Sequence, residues 1–324
     1  MRLRRSAAVL FAATLLAAGC GGEREDSGGG GEDTGGGRLS MGTGNTTGVY
    51  YVLGGGYAQL VGEKLEGYRV TPEVTGGPKE NIDRVAKGDD DLGLCSLSWA
   101  TDAIKGQGAF TSPQPIRALA RLYLNYTHVV VKTGIKDLEG LKGKRISTGS
   151  PGATGELGAA RLLEAADLDV EKDTERQKIS LNESVQGMKD GNLDAVFWSG
   201  GLPTSGIQDL TRTMGDKVTL LDLSKYVPAL QAKYPNIYEA ATIAPEVYKQ
   251  PAAVATIAEP NLLIVNESMP EKLGTDLTGV LMNNLPQLGQ VHPEGKNITR
   301  ANAEGTDPVP LHPGAEKFYS DNPA

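Results

Sequence analysis

Apolar residues follow two alternating patterns along the chain from Leu39 onward. Short runs rich in Val, Ile and Leu alternate with longer segments in which apolar residues return every three or four positions. This alternation is typical of βα units that surround a largely parallel sheet. The short runs predict strands near 69–74, 91–95, 116–123, 144–148, 193–197 and 217–221. The longer segments predict helices at about 47–65, 79–88, 98–106, 153–167, 182–190, 204–214 and 270–284.

Two further apolar runs, at 127–132 and 261–266, have the composition of buried strands. If the chain crosses between two lobes at these runs, it leaves lobe one near 127, builds lobe two and returns near 265. Lobe one would then comprise 39–127 and 266–324, and lobe two 128–265. The sequence therefore predicts an α/β protein of two lobes joined by two hinge strands.

The N-terminal segment differs in composition from the rest of the chain. Three arginines precede an uncharged apolar stretch at 7–18, which is shorter than the roughly 20 residues that a membrane-spanning helix needs. We therefore interpret 1–19 as a signal peptide. The residues up to Cys20 resemble a bacterial lipobox, which predicts a lipidated Cys20 and attachment to the outer face of the cell membrane; ordinary secretion is the alternative. The Gly-rich, acidic segment 20–38 is predicted to be a flexible linker.

Charge and cysteine content narrow the possible partners. Acidic residues outnumber basic ones by 40 to 32, which gives a formal net charge of −8 and disfavours nucleic acid as a partner.

If Cys20 is lipidated, Cys95 has no cysteine to pair with, so no intramolecular disulfide is expected. Cys95 lies in an apolar run and is predicted to be a small buried residue at the end of a strand.

Three glycine-rich segments each lie between a predicted strand and a predicted helix, at 42–51, 75–81 and 147–156. Glycines let the backbone approach a ligand closely, and the first N–H groups of a helix have no partner within it. Such junctions therefore suit a small anion. Because ligands of open α/β sheets bind beyond the carboxyl ends of strands, the three junctions predict one cleft between the lobes. Trp198 follows another strand, and it would either line this cleft or pack on the lobe surface.

Other kinds of site have weaker support. A dinucleotide site needs G-x-G-x-x-G, whereas the third glycine of the first segment, Gly48, comes one residue late. A glycine-rich turn with threonine caps is the purely structural alternative for that segment. His128, His292 and His312 lie beside neither a cysteine pair nor a carboxylate cluster, which argues against a metal site. No G-x-S-x-G elbow is present, so we expect no enzyme activity and no cofactor.

The order of these motifs resembles the TAXI family of solute receptors for TRAP transporters. The resemblance spans about 39–321 and rests on 42–56, 73–77 with Glu80 and Asn81, 91–93, 137–144, 149–156 and 311–315. It implies a type II periplasmic-binding-protein fold. It also implies a receptor that delivers glutamate, glutamine or a related dicarboxylate to a TRAP-type membrane permease. We expect the receptor to be a monomer.

Carried over by position, the resemblance implies ligand contacts from both lobes. They are Gly44, Thr46, Thr47, Tyr50, Gly76, Gly77 and Asn81 in lobe one, and Ser150, Gly152, Thr154, Gly155 and Trp198 in lobe two. The chain departs from the family pattern at 45–47 in the first glycine-rich loop and at 153–154 in the third. Two alternatives to transport remain. The first is a receptor docked on a membrane sensor kinase. The second is an enzyme of the same two-lobe shape, as porphobilinogen deaminase has, and in this chain Cys95 would then be the reactive thiol.

Overall fold

Strands and helices alternate along most of the chain in the computed structural model, which describes residues 36–46 and 48–323. The strands in this part are β1 (Arg38–Gly42), β2 (Arg69–Glu73), β3 (Leu92–Ser96), β4 (Ile116–Lys132), β5 (Arg145–Ser147), β6 (Glu175–Gln177), β7 (Ala195–Gly200), β8 (Val218–Leu220), β9 (Glu239–Ile243) and β10 (Val254–Asn266). The helices are α1 (Val49–Lys64), α2 (Pro78–Lys87), α3 (Leu97–Lys105), α4 (Thr154–Ala165), α5 (Leu181–Lys189), α6 (Ser205–Met214), α7 (Val227–Lys233), α8 (Pro245–Tyr248), α9 (Glu271–Asn283), α10 (Leu285–Val291) and α11 (Pro313–Asp321). None of these helices is both long and apolar enough to cross a bilayer.

The predicted alternation of strands and helices is confirmed, with corrections at the long strands. The segments 116–123 and 127–132 were predicted as separate strands, but they form one strand, β4. The segment 261–266 is only the second half of β10. Strands β6 and β9 were not predicted, because they are short, partly exposed edge strands without a continuous apolar run.

The strands form one mixed sheet with the order β2-β1-β3-β10-β4-β7-β5-β6. On one side, β1 pairs in parallel with β2 and β3, and on the other, β5 pairs in parallel with β6 and β7. The long strands β4 and β10 run antiparallel to each other between these two sets. β10 pairs with β9 over 254–258 and with β3 over 261–265, so it belongs to both sets.

Each set of strands has its own hydrophobic core on both faces. We name β1–β3 with α1–α3 and α9–α11 lobe one, and β5–β9 with α4–α8 lobe two. In lobe one, α1, α9 and α11 cover one face of the sheet, and α2 and α3 cover the other. In lobe two, α4 and α7 cover one face, and α5 and α6 cover the other. The exact residues at which the chain passes between lobes, 127/128 and 265/266, stay a prediction.

Two predictions about the N-terminal and cysteine-containing segments differ in outcome. Cys95 is fully buried in β3, which confirms its predicted place at a strand end. Burial raises the pKa of its thiol well above the ordinary value. The predicted signal peptide, Cys20 and nearly all of the predicted linker lie outside the described residues, and β1 already begins at Arg38.

Candidate functional site

Four helices begin around one cavity between the lobes. The residues before them, Gly48 for α1, Gly77 for α2, Ala153 for α4 and Thr204 for α6, provide no side-chain cap. The first N–H groups of these helices are therefore not satisfied by a capping side chain. The cavity has a volume of about 170 Å³. An engineered protein cavity of roughly 150 Å³ binds benzene, so this one has the size for a small metabolite.

The walls of the cavity come from both lobes and from the connecting strand β4. Lobe one contributes Gly44, Asn45, Gly48, Val49, Tyr50, Val52, Gly76, Gly77, Pro78 and His292; lobe two contributes Gly149, Ser150, Ala153, Thr154, Gly155, Trp198, Ser199, Gly200, Gly201, Pro203, Thr204 and Ser205; β4 contributes Tyr123 and Asn125. No Asp, Glu, Lys or Arg of the described residues is among them. Burial lowers the pKa of His292, whose Nδ1 accepts a hydrogen bond from the Glu294 N–H. The positive potential of the site therefore comes from helix N-termini.

The cavity brings together most of the residues predicted as ligand contacts. Those that line it are Gly44, Tyr50, Gly76, Gly77, Ser150, Thr154, Gly155 and Trp198. Trp198 thus faces the cavity, and its Nε1 donates to Thr204 Oγ1 at 3.0 Å. Thr46 is exposed and does not line the cavity. Thr47 lies outside the described residues.

Asn81, predicted as a ligand contact, is instead fully buried beneath the glycine-rich loops. Its Nδ2 donates to the carbonyl oxygens of Thr43 at 2.8 Å and Leu94 at 2.7 Å. Its Oδ1 accepts from Thr75 Oγ1 at 2.6 Å. Both N–H groups of the amide thus donate hydrogen bonds, and only the second lone pair of Oδ1 is left without one. Asn81 therefore fixes the loops that follow β1 and β2, and its prediction as a cavity residue was wrong.

Gly152 also lies outside the cavity wall, at a contact between the lobes. Its carbonyl oxygen accepts the Lys79 N–H at 3.2 Å, and Trp99 Nε1 donates to the neighbouring Ala153 carbonyl at 3.2 Å. The Gly152 backbone has a φ of +78°, and a Cβ there would lie 3.0 Å from Lys79 Cβ. Glycine is thus needed for both the backbone conformation and the close approach. These bonds show the two lobes closed against each other.

A buried group of charges joins the lobes beside the cavity. Arg161 of α4 donates from Nη2 to both carboxylate oxygens of Asp102 on α3, each at 2.8 Å, and from Nη1 to Tyr238 Oη at 3.1 Å. The two charged side chains are only 6% and 11% exposed. Glu259 of β10 is also buried, and it accepts the Ser98 N–H at 3.0 Å near the start of α3. Burial raises the pKa of Glu259 to about 7.

This raised pKa predicts a loss of stability as pH rises. Between its ordinary value of 4.5 and about 7, Glu259 is protonated in the folded protein and ionised in the unfolded chain. The free energy of unfolding should therefore fall with rising pH across this window, by up to about 3 kcal/mol. Urea unfolding at pH 5 and pH 8 measures the fall, and Glu259→Gln should remove this contribution. A Glu259→Gln variant with the same pH profile as the unaltered protein would contradict this assignment.

The cavity residues that were not predicted as ligand contacts include Tyr123, Asn125 and Ser199. Tyr123 lies opposite a register shift between β10 and β4, at which the pairing moves from Pro260 with Leu124 to Leu262 with Arg121. Such a β-bulge changes the direction of side chains. The sequence gives no direct signal of the bulge. A single Asn within an otherwise apolar strand segment was the available signal for Asn125.

Comparison with solved structures supports the predicted fold class. PhnD1 of Prochlorococcus marinus in complex with methylphosphonate has a TM-score of 0.56 at 12% identity, over 88% of this chain and 97% of that one. A binding protein component of an ABC phosphonate transporter from Pseudomonas aeruginosa has a TM-score of 0.54 at 11% identity, over 81% of this chain and 80% of that one. At such identities the likeness concerns the fold alone. The chain has the two-lobe fold of type II periplasmic binding proteins.

The family model that matches the sequence covers nearly all of the described residues. Its match runs over 41–322, from β1 to the end of the chain's last helix. Both connecting strands, the whole cavity wall and all of both lobes except the first residues of β1 lie inside this range. The chain belongs to the NMT1-like family.

Proposed function

We propose that this protein is an exported solute-binding receptor that captures a small anionic metabolite between its lobes. The observation that carries the proposal is the meeting of four helix starts without a side-chain cap, two from each lobe, around one cavity of about 170 Å³. In α2 the Lys79 N–H already donates to the Gly152 carbonyl oxygen. Each helix N-terminus stabilises a nearby negative charge by about 0.3–1 kcal/mol when exposed and up to about 2 kcal/mol when partly buried. Several such termini together would hold an anion without a cationic side chain.

Binding would favour closure of the lobes. A solute held by the starts of α1 and α2 in lobe one gains the starts of α4 and α6 only when lobe two closes over it. The bonds from Lys79 N–H to Gly152 and from Trp99 to Ala153 also need closed lobes. A ligand with more contacts in the closed state shifts the population toward that state. β4 and β10, which belong to both lobes, would act as the hinge.

The resemblance to the TAXI family supports a more specific proposal. It favours glutamate, glutamine or a related dicarboxylate as the solute, a TRAP-type membrane permease as the partner, and a monomeric receptor. The N-terminal sequence supports anchoring through a lipidated Cys20. We propose no catalytic role and no cofactor, because the candidate thiol of the enzyme alternative, Cys95, is fully buried with a raised pKa.

A thermal-shift screen of the purified protein tests the proposal. The panel contains L-glutamate, L-glutamine, succinate, 2-oxoglutarate and methylphosphonate, with putrescine as a cationic control. A solute at a hundred times its Kd adds about 2.7 kcal/mol to the free energy of unfolding, so a true ligand should raise the Tm by several degrees. We expect at least one anion to do so and putrescine to have no effect. A panel in which no anion raises the Tm would count against an anion receptor.

A further inference from the structure

Three neutral side chains in the cavity wall have hydrogen-bonding groups without a partner. Tyr123 and Asn125 lie two residues apart on β4, and Ser199 lies on the adjacent strand β7. They are 2%, 3% and 8% exposed. No hydrogen bond from the described residues reaches the Tyr123 hydroxyl, the Asn125 amide or the Ser199 hydroxyl. We call these three residues the polar floor.

The polar floor differs from the other polar groups close to it. Asn261 of β10 donates from Nδ2 to the Tyr123 carbonyl and accepts the Tyr50 hydroxyl at Oδ1. Asn81 is likewise bonded on both sides of its amide. Most buried polar groups in folded proteins have such partners. Other buried atoms of the described residues also lack a partner, among them Thr101 Oγ1 and Thr299 Oγ1, but these residues do not line the cavity. The unmet capacity of the polar floor differs because it lies where a bound molecule can supply the partner.

The charges around the cavity indicate what that partner is. No cationic side chain of the described residues lines the cavity, and the helix starts are its only sources of positive potential. One carboxylate lies at the edge of the cavity, because Glu80 Oε2 accepts the N–H of the cavity residue Gly76 at 2.7 Å. A second acid, the buried Glu294, lies directly behind the cavity residue Gly201 and accepts the Leu202 N–H. An anionic group at the polar floor would meet hydroxyls and an amide but no neutralising charge. A carboxamide both donates and accepts, which matches the amide of Asn125 and the two hydroxyls.

We propose that the polar floor determines ligand specificity by selecting a neutral carboxamide at one end of a small molecule that carries a carboxylate at its other end. The anionic group lies at the helix starts, and the carboxamide bonds to Asn125, Ser199 and Tyr123. This inference rests on the proposed function and narrows its ligand class. Within the solutes that the family resemblance implies, it favours the monoamide over the dicarboxylate.

Isothermal titration calorimetry with two matched pairs of probes tests the proposal. The pairs are glutaramate with glutarate, and L-glutamine with L-glutamate; each differs only in an amide that replaces a carboxylate. We expect the amide to bind at least about tenfold more tightly in one or both pairs, because the carboxylate leaves donors and acceptors mismatched. Ser199→Ala and Asn125→Leu should reduce this preference to below about threefold.

A matched control separates this effect from the general loss of a buried hydroxyl. Thr299 Oγ1 is also buried and without a partner, but Thr299 does not line the cavity. Thr299→Val should therefore keep the preference of the unaltered protein. Circular dichroism melting verifies that each variant folds. If Asn125→Leu does not fold, Ser199→Ala alone tests the proposal, because it removes only one oxygen atom.

The outcomes distinguish this inference from the proposed function. Dicarboxylates that bind as tightly as their monoamides, or a preference that Ser199→Ala leaves unchanged, would overturn the role of the polar floor while the receptor function stands. Binding of methylphosphonate or another anion of the wider screen, with no binding of either pair, would overturn the carboxamide class. Failure of every anion in that screen would instead overturn the receptor function itself.

Discussion

Replacing Gly76 by leucine is expected to weaken binding of any anion found in the thermal-shift screen by at least about a hundredfold, or about 2.7 kcal/mol. Gly76 lines the cavity, and its backbone is outside the left-handed region, so a side chain there does not strain the chain. A Cβ at Gly76 would lie 3.1 Å from Glu80 Oε2, the end of a flexible side chain that can shift, and 3.8 Å from the Pro151 carbonyl oxygen of lobe two. A leucine would therefore occupy the space between the lobes that ligand and closure need. Calorimetric titration measures the loss.

A glycine outside the cavity provides the control for this variant. Gly55 lies within α1, does not line the cavity, and has no atom within 4 Å of the position of an added Cβ. Gly55→Leu should leave the affinity unchanged and, because leucine has a higher helix propensity than glycine, should not lower the Tm. An unchanged affinity of Gly76→Leu would show that the ligand does not bind in this cavity.

Replacing Arg161 by methionine is expected to reduce ligand affinity by roughly a hundredfold or more, although Arg161 does not line the cavity. Removal of one partner from a buried ion pair costs about 3–5 kcal/mol, because the other charge is left buried and unpaired. Here the pair joins α4 of lobe two to α3 of lobe one. Water can reach Asp102 when the lobes separate, so we expect the cost to oppose closure more than folding. Calorimetry and urea unfolding measure the two effects separately.

An ion pair within one lobe gives the matching control. Arg145 donates to Asp194 from Nε at 3.0 Å and from Nη2 at 2.9 Å, and both residues belong to lobe two. Closure does not create this pair. Arg145→Met should therefore lower the Tm and leave ligand affinity unchanged. If Arg161→Met lowers the free energy of unfolding by about 3–5 kcal/mol, the whole of the expected cost, and leaves ligand affinity unchanged, the Arg161–Asp102 pair stabilises the fold. The pair then does not set the balance between open and closed lobes.

The glycine-rich junctions could be predicted from the sequence because their cause is local. A strand, a pair of glycines and a helix-starting residue such as Pro78 follow one another directly in the chain, and they fix where the helix begins. Gly76, Gly77 and Gly155, which were predicted as ligand contacts, line the cavity; their contact with a ligand stays a prediction. The β/α alternation that brings these junctions to the same edge of the sheet is equally visible in the sequence.

The polar floor could not be predicted because its cause is not local. Which face of β4 carries Tyr123 depends on a bulge that forms only when β10 pairs with it. Ser199 becomes a cavity residue only because β7 pairs with β4 and α4 packs close to it. Asn81 shows the reverse case, since position in a first helical turn does not determine whether a side chain points to a ligand or to the loops beneath. The error at Asn81 and the omission of Ser199 have the same origin, because in both cases the direction of the side chain depends on contacts with distant parts of the chain.

Pro260 lies where β10 passes from its pairing with β9 to its pairing with β3. Proline has no N–H group, and the register shift that follows it interrupts the regular ladder with β4. Fewer backbone hydrogen bonds therefore hold the sheet together along this line than on either side of it. Separation of the lobes would bend the sheet here and leave the parallel strands of each lobe intact, so that within β4 and β10 the apo protein should exchange its amide hydrogens fastest at this crossing.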